Sequence, residues 1–258
     1  MKNLNFIHGG NIHYFAQRFN LSLSDIIDAS ASIVPFSIPD FLKDELCIEI
    51  KNESFRYYPE RNLNKLKETI GNFHNIDPRC IMPGNGASEL ITWIGYEAAK
   101  YNVNCLPVPG FVDYERALNC WKAKYFFEEL PKNNFTNTKQ AFPLHPKCDV
   151  LWITNPHNPT GQLWDRESLE EIIKNYKLVI CDEAFLSLTP NGENESLIPL
   201  TKEFDNLIVI RSLTKLFSIP GLRIGYMISA STICQNLNNL RDPWPVNSLA
   251  IQAGIKLL

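Results

Sequence analysis

Short apolar runs recur along the chain at 104–108, 150–154, 178–181, 207–211 and 224–228. Runs this brief, bounded by Gly, Pro, Asn and Asp, predict strands buried on both faces. Between several of them, at 88–100, 112–121 and 166–175, apolar residues fall at helical spacing. The alternation predicts an α/β domain with a mainly parallel central sheet. The first fifty residues lack this rhythm and are interrupted by Pro35 and Pro39, so they read as an N-terminal arm. The last run, 249–258, is apolar and helix-like, with no C-cap glycine, closing polar turn or following proline. That ending reads as the mark of a fragment.

Composition narrows the class without naming it. With 258 residues, 45% hydrophobic and 21% charged, the chain has the make-up of a globular protein able to bury a sizeable core. A net charge of −3 with scattered Lys and Arg leaves no basic footprint for nucleic acid or an anionic membrane. No apolar stretch reaches the length of a signal-peptide core or a membrane span, which predicts a cytoplasmic protein. The seven cysteines (47, 80, 105, 120, 148, 181 and 234) form no C-x-x-C pair and are odd in number, so they read as buried reduced thiols. No metal-ligand spacing is present.

Ligands of open α/β sheets collect at the carboxyl ends of the strands, and the polar punctuation of this chain sits there. Gly84-Asn85-Gly86-Ala87-Ser88-Glu89 leads into a helix, where glycines and free N–H groups favour an anion; it reads equally as an ordinary capped helix start. It is not the dinucleotide fingerprint, because Glu89 stands where that motif has its third glycine. Asp182 closes an apolar run, placed either to pair with a cationic ring nitrogen or to serve as a structural cap. Lys215 follows another run in an apolar neighbourhood, where desolvation frees an amine to act as a nucleophile, although most lysines are surface residues. Ser212, three residues before it, and Arg223, eight after it, are anion-binding types on either side.

Taken together, Asn158-Pro159-Thr160-Gly161, Asp182-Glu183-Ala184, Ser212-x-x-Lys215 and Arg223 resemble the fold-type-I pyridoxal-phosphate family, classes I and II of the aminotransferases. The resemblance implies pyridoxal 5'-phosphate held by Lys215 as a Schiff base, with Asp182 on the ring nitrogen and Asn158 on the ring hydroxyl. It implies a phosphate held by Ser212, Arg223 and the backbone of Ala87 and Ser88, and a ring stacked on Phe111. It also implies a homodimer in which Tyr58 reaches the neighbouring subunit's cofactor. In that family residues 1–50 correspond to the arm and the start of a small domain, and 51–258 to the large cofactor-binding domain. Against that family the sequence reads as lacking the C-terminal small domain with its carboxylate-binding arginine. Phe185 departs from the family's usual tyrosine and leaves the ring oxygen one donor short.

The start His8-Gly9-Gly10-Asn11, Phe185, the 211–226 run and Pro243-Trp244-Pro245-Val246-Asn247-Ser248 resemble the threonine-phosphate decarboxylases of cobalamin biosynthesis, relatives of histidinol-phosphate aminotransferase. The implied reaction removes CO2 from L-threonine O-3-phosphate, giving 1-aminopropan-2-ol phosphate. His8, Asn11 and the Ala31-Ser32 segment are then the substrate anchors. Two rivals stand beside this reading: an aminotransferase acting on a phosphorylated amino compound of the histidinol-phosphate type, and a cofactor-binding remnant without turnover. A plain nucleotide-binding α/β domain lacks both a Walker loop and a dinucleotide fingerprint.

Overall fold

A computed structural model describes residues 9–131 and 139–258. Its centre is a seven-stranded sheet: β1 (Ile81–Asn85), β2 (Asn104–Val108), β3 (Tyr125–Glu129), β4 (Val150–Thr154), β5 (Leu178–Asp182), β6 (Leu207–Ser212) and β7 (Ile224–Ile228). The spatial order is β1-β7-β6-β5-β4-β2-β3, and β7 alone runs against both its neighbours. The mainly parallel sheet expected from the alternation is therefore present, and all five predicted strands lie in it.

Side chains alternate between the two faces as the pleat requires. Leu151 and Ile153 of β4, Val179 and Cys181 of β5, and Leu207 and Val209 of β6 join one core. Val150 and Trp152, Leu178 and Ile180, and Ile208 and Ile210 join the other. Helices cover both faces, which is why these strands read as unbroken apolar runs. The first face packs against α2 (Asp40–Lys51), α3 (Asn64–His74), α6 (Arg166–Ile173) and α9 (Ser248–Leu257), through residues such as Leu42, Leu66, Leu169 and Ala250. The second packs against α4 (Gly86–Ala98), α5 (Asp113–Cys120) and α8 (Ser231–Asn238), through Leu90, Ile94, Leu118 and Leu237. The short helices α1 (Ile12–Phe19) and α7 (Leu213–Leu216) complete the set.

Strands β1 and β3 were not legible in the pattern, because Pro83 and Gly84 interrupt one and Glu128 and Glu129 the other. Both are edge strands, where an unmade ladder bond and a polar face are tolerated. Helix α2 lies inside the segment read as an arm. Its Leu42 is fully buried, and Glu45 pairs with Lys256 of α9 at 3.3 Å. The expectation of buried thiols holds for Cys105, Cys181 and Cys234, in part for Cys80 and Cys148, and not for Cys47 within α2 or Cys120 at the end of α5, which are exposed. No helix of the described residues is long and apolar enough to cross a membrane.

Candidate functional site

Three strands deliver their last residues to one place. Thr154 ends β4, Asp182 ends β5 and Ser212 ends β6, and all three line a cavity of about 390 Å³. The parallel register sets Thr154 level with Asp182 and Asp182 level with Ile210, so Ser212, two residues further on, reaches the same cavity although 58 positions separate it from Thr154. The turn after β6 adds Lys215, and the start of α4 adds Ala87 and Ser88. Phe111, Asn158, Phe185 and Arg223 complete the expected lining.

Asp182 lies at the buried end. Its Oδ1 accepts from the Ala184 amide at 3.0 Å, and its Oδ2 accepts from the Tyr114 hydroxyl at 2.9 Å. Burial pushes its carboxyl above the ordinary aspartate value, while the two donors and the nearby Lys215 pull the other way. Lys215 is held below the ordinary lysine value, first by burial and then by the Arg223 charge, with Asp182 opposing. It makes no ion pair among the described residues, and its Nζ lies 5.8 Å from the Phe185 ring centre. An amine thus stands between a buried carboxylate and a guanidinium, committed to neither.

The other end is built for an anion. Gly86 opens α4 at φ +74°, and a Cβ there would lie 2.5 Å from Arg223 Nη2 and 2.9 Å from its Cζ. The guanidinium therefore rests directly against the helix start, in space that only glycine leaves. Gly225 of β7 serves the same approach: its own Cβ would lie 3.1 Å from the Ala87 nitrogen and 2.8 Å from the Arg211 carbonyl. Arg223 forms no ion pair with a described carboxylate, so its charge and the first-turn N–H groups of α4 face the cavity together.

Residues 18–258 match the family described as aminotransferase class I and II. The chain belongs to this family. Threonine-phosphate decarboxylase of Salmonella typhimurium is 31% identical over 258 residues, 97% of this chain and 69% of that protein. Histidinol-phosphate aminotransferase 2 of Haemophilus influenzae is 29% identical over 244 residues, 92% of this chain and 66% of that protein. The crystal structure of the histidinol-phosphate aminotransferase from Clostridium acetobutylicum has a TM-score of 0.76 at 28% identity, covering 89% of this chain and 68% of that one. The chain spans about two thirds of the length of the curated relatives it matches.

In this aminotransferase-family chain the N-terminal arm closes part of the cavity. Gly9, Ser30, Ala31 and Ser32 line it, and the Val34 amide donates to the Lys215 carbonyl at 3.3 Å. Ser218 Oγ donates to the Val34 carbonyl at 2.8 Å, tying the arm to the lysine turn a second time. Of the three expected substrate anchors, Ser32 reaches the cavity. Asn11 does not: its Oδ1 caps α1, accepting from the Tyr14 amide at 3.3 Å. His8 lies outside the described residues. Tyr58 is also away from this cavity, exposed and stacked on Trp244 at 4.4 Å between ring centres.

Among the lining residues that escaped the sequence reading are Tyr114 and Thr154. Their hydroxyls meet at 2.9 Å beside Asp182. Tyr114 sits on the inward face of α5, three positions after Phe111, and looks like any core aromatic until its polar tip is placed. On the opposite face of the sheet, Arg211 bonds Glu183 Oε2 through Nε at 2.9 Å and Glu193 through both terminal nitrogens at 2.8 and 2.9 Å. Neighbours of Asp182 and Ser212 in sequence, Glu183 and Arg211 point away from the cavity and anchor the strand ends that carry the site.

Proposed function

We propose that this chain binds pyridoxal 5'-phosphate in the cavity at the ends of β4, β5 and β6 and belongs to a protein that decarboxylates L-threonine O-3-phosphate. The observation that carries the cofactor is the order of groups along one pocket. A buried carboxylate lacking a bonded cation among the described residues, Asp182, suits a protonated ring nitrogen. A half-buried amine without an ion pair among the described residues, Lys215, suits an aldehyde, and the Arg223–α4 start suits a phosphate. Three such groups lining one cavity complement a flat aromatic ring that carries a protonated nitrogen, an aldehyde and a phosphate.

Each side chain then has a task. Lys215 would supply the amine that holds the aldehyde covalently, and its Nζ would carry a proton to or from the substrate. Asp182 keeps a positive charge on the ring nitrogen. Asn158 donates to the ring hydroxyl, and Phe185 leaves that oxygen without the second donor a tyrosine would give. Phe111 packs on the ring face. Ser212, Arg223 and the first turn of α4 hold the phosphate. Pyridoxal phosphate, when bound, acts as an electron sink for whichever bond at the substrate's amine-bearing carbon stands perpendicular to its ring. The protein's contribution is therefore orientation: the carboxylate must be held out of the ring plane for decarboxylation, the hydrogen for transamination. Ser32, Gly9 and Ser30 line the same cavity, which supports a part for the arm in that choice.

Likeness to the decarboxylase at 31% identity, together with Phe185 and the His8-Gly9-Gly10-Asn11 start, supports decarboxylation, with a phosphorylated amino acid as substrate and a homodimer as the working unit. Relatives named histidinol-phosphate aminotransferase, at 28–30% identity, support the second reading, amino transfer on a phosphorylated amino compound. Carboxyl-labelled L-threonine O-3-phosphate separates the two in the whole protein loaded with pyridoxal phosphate. Labelled CO2 released without any keto acid is the expected result. Amino transfer from glutamate to imidazole-acetol phosphate, faster than any CO2 release, would replace it with the second reading.

A further inference from the structure

The buried carboxylate at the base of the cavity raises a physical problem that the cofactor residues do not solve. A carboxylate this deep tends to take up a proton, because burial disfavours its charge. A neutral Asp182 would no longer hold a positive ring nitrogen. The hydrogen bonds around it show how the chain opposes this. Oδ1 has the Ala184 amide, and Oδ2 has the Tyr114 hydroxyl at 2.9 Å. Tyr114 has one hydroxyl hydrogen and gives it to Asp182, so in its 2.9 Å bond with Thr154 the threonine is the donor. The result is a directed relay: Thr154 donates to Tyr114, and Tyr114 donates to Asp182. Each bond polarises the next in a dry environment, which strengthens the final donor.

We propose that Tyr114, backed by Thr154, is the positioning residue that keeps Asp182 ionised and fixed in orientation for the cofactor's ring nitrogen. The proposal rests on the cofactor reading above. Its geometry is independent of that reading. The two hydroxyls come from different layers: Thr154 is the last residue of β4, and Tyr114 reaches down from α5, with its ring 5.1 Å from Trp152 and 5.4 Å from Phe111. That packing fixes the hydroxyl over Asp182, so the bond is made without a search among rotamers. Burial, and then the Asp182 charge, push the Tyr114 hydroxyl well above the ordinary tyrosine value, so it remains a donor throughout the working pH range. The other charges facing Asp182 are Lys215, which favours its ionised form, and Asp113, which opposes it; Cys181 adjoins Tyr114. Neither Tyr114 nor Thr154 needs to touch substrate. Both act through the carboxylate.

The test uses Tyr114→Phe and Thr154→Val, changes that remove one hydroxyl each and keep the shape, with thermal melting to confirm that both fold. In the ligand-free protein, with aspartate side chains carbon-13 labelled, the titration midpoint of Asp182 is expected to move up by about one pH unit in Tyr114→Phe, because a bond to the charged form is lost. Thr154→Val is expected to move it in the same direction by less. The double variant is expected to match Tyr114→Phe alone, since threonine acts only through tyrosine. In the reconstituted protein, pyridoxal phosphate affinity is expected to fall about ten-fold in Tyr114→Phe, the equivalent of that one unit, and its acid limb to shift upward in parallel. An unmoved Asp182 midpoint, additive effects of the two changes, or an affinity loss without the shift overturns the relay. Failure of the parent protein to bind pyridoxal phosphate at all would count against the cofactor reading instead, and the ligand-free titration would still decide whether the relay exists.

Discussion

Replacing Gly86 by alanine tests the anion end of the cavity through a residue that touches no ligand with a side chain. The methyl group meets two difficulties. At φ +74° an L-residue pays a steric cost of about 1–2 kcal/mol. In a chain of this size that lowers the melting temperature by roughly 2–8 °C. The second difficulty is local. The new Cβ would stand 2.5 Å from Arg223 Nη2 and 2.9 Å from Cζ, well inside van der Waals contact. The end of an arginine is flexible, so it swings aside at small cost to the fold, and in doing so leaves the helix start. Its charge-assisted bonds to a phosphate, worth about 1.5–3 kcal/mol, are then lost. Pyridoxal phosphate affinity should fall roughly ten- to a hundred-fold. Titration of the apoprotein, followed by tryptophan fluorescence and visible absorbance, measures it. Arg223→Ala should give a loss of the same order, and the double variant should be no weaker than Arg223→Ala, because both changes remove one contact. A Gly86→Ala protein with parental affinity, or losses that add, would refute the claim that this glycine exists to seat the guanidinium.

The remaining predictions address the rest of the site and its support. Borohydride reduction of the loaded protein should fix the cofactor mass to the peptide containing Lys215, and Lys215→Ala should abolish that adduct while the protein still melts cooperatively; attachment at another lysine would remove the assignment. Asp182→Asn should retain cofactor but lose about 3 kcal/mol of transition-state stabilisation, read as a kcat roughly a hundred-fold lower; an unchanged kcat would make Asp182 structural. Arg211→Met strands the fully buried Glu183 and should cost about 3–5 kcal/mol in urea denaturation, whereas a cost under about 1 kcal/mol would show that Glu183 is solvated or protonated. Stability should also fall with acid. Burial pushes both His74 and His157 down to about 4, so between the ordinary histidine value near 6.5 and that value the unfolded chain binds more protons than the folded one. Stability is complete above that window and declines as pH drops through it; His74→Phe should flatten the slope, and an unaltered slope would place the effect elsewhere.

Much of this architecture follows from local patterning. A strand covered by helices on both faces must be apolar at every position, so β2, β4, β5, β6 and β7 stood out by composition, and their carboxyl ends marked where Asp182, Ser212 and Lys215 would gather. Their chemistry was legible only from the motif set taken together and the family it resembles, since Asp182 alone also read as a cap and Lys215 alone as a surface lysine. Edge strands β1 and β3 were not legible, since only one neighbour and a partly solvated face constrain them, which leaves room for Pro83 and Glu128. Contacts between distant segments were equally invisible. Nothing local says that Gly86 must clear space for Arg223, 137 positions later, or that Asn11 turns to cap its own helix while Ser32 faces the cavity. Tyr114 is the clearest case. Periodicity puts it on the buried side of α5, but whether a buried tyrosine merely fills space or donates to a carboxylate depends on what the sheet brings beneath its hydroxyl. Sequence determines which faces are dry, because burial is an average over many residues. Tertiary structure alone decides which polar tips meet there, because a hydrogen bond depends on a few tenths of an ångström between residues the chain itself keeps far apart.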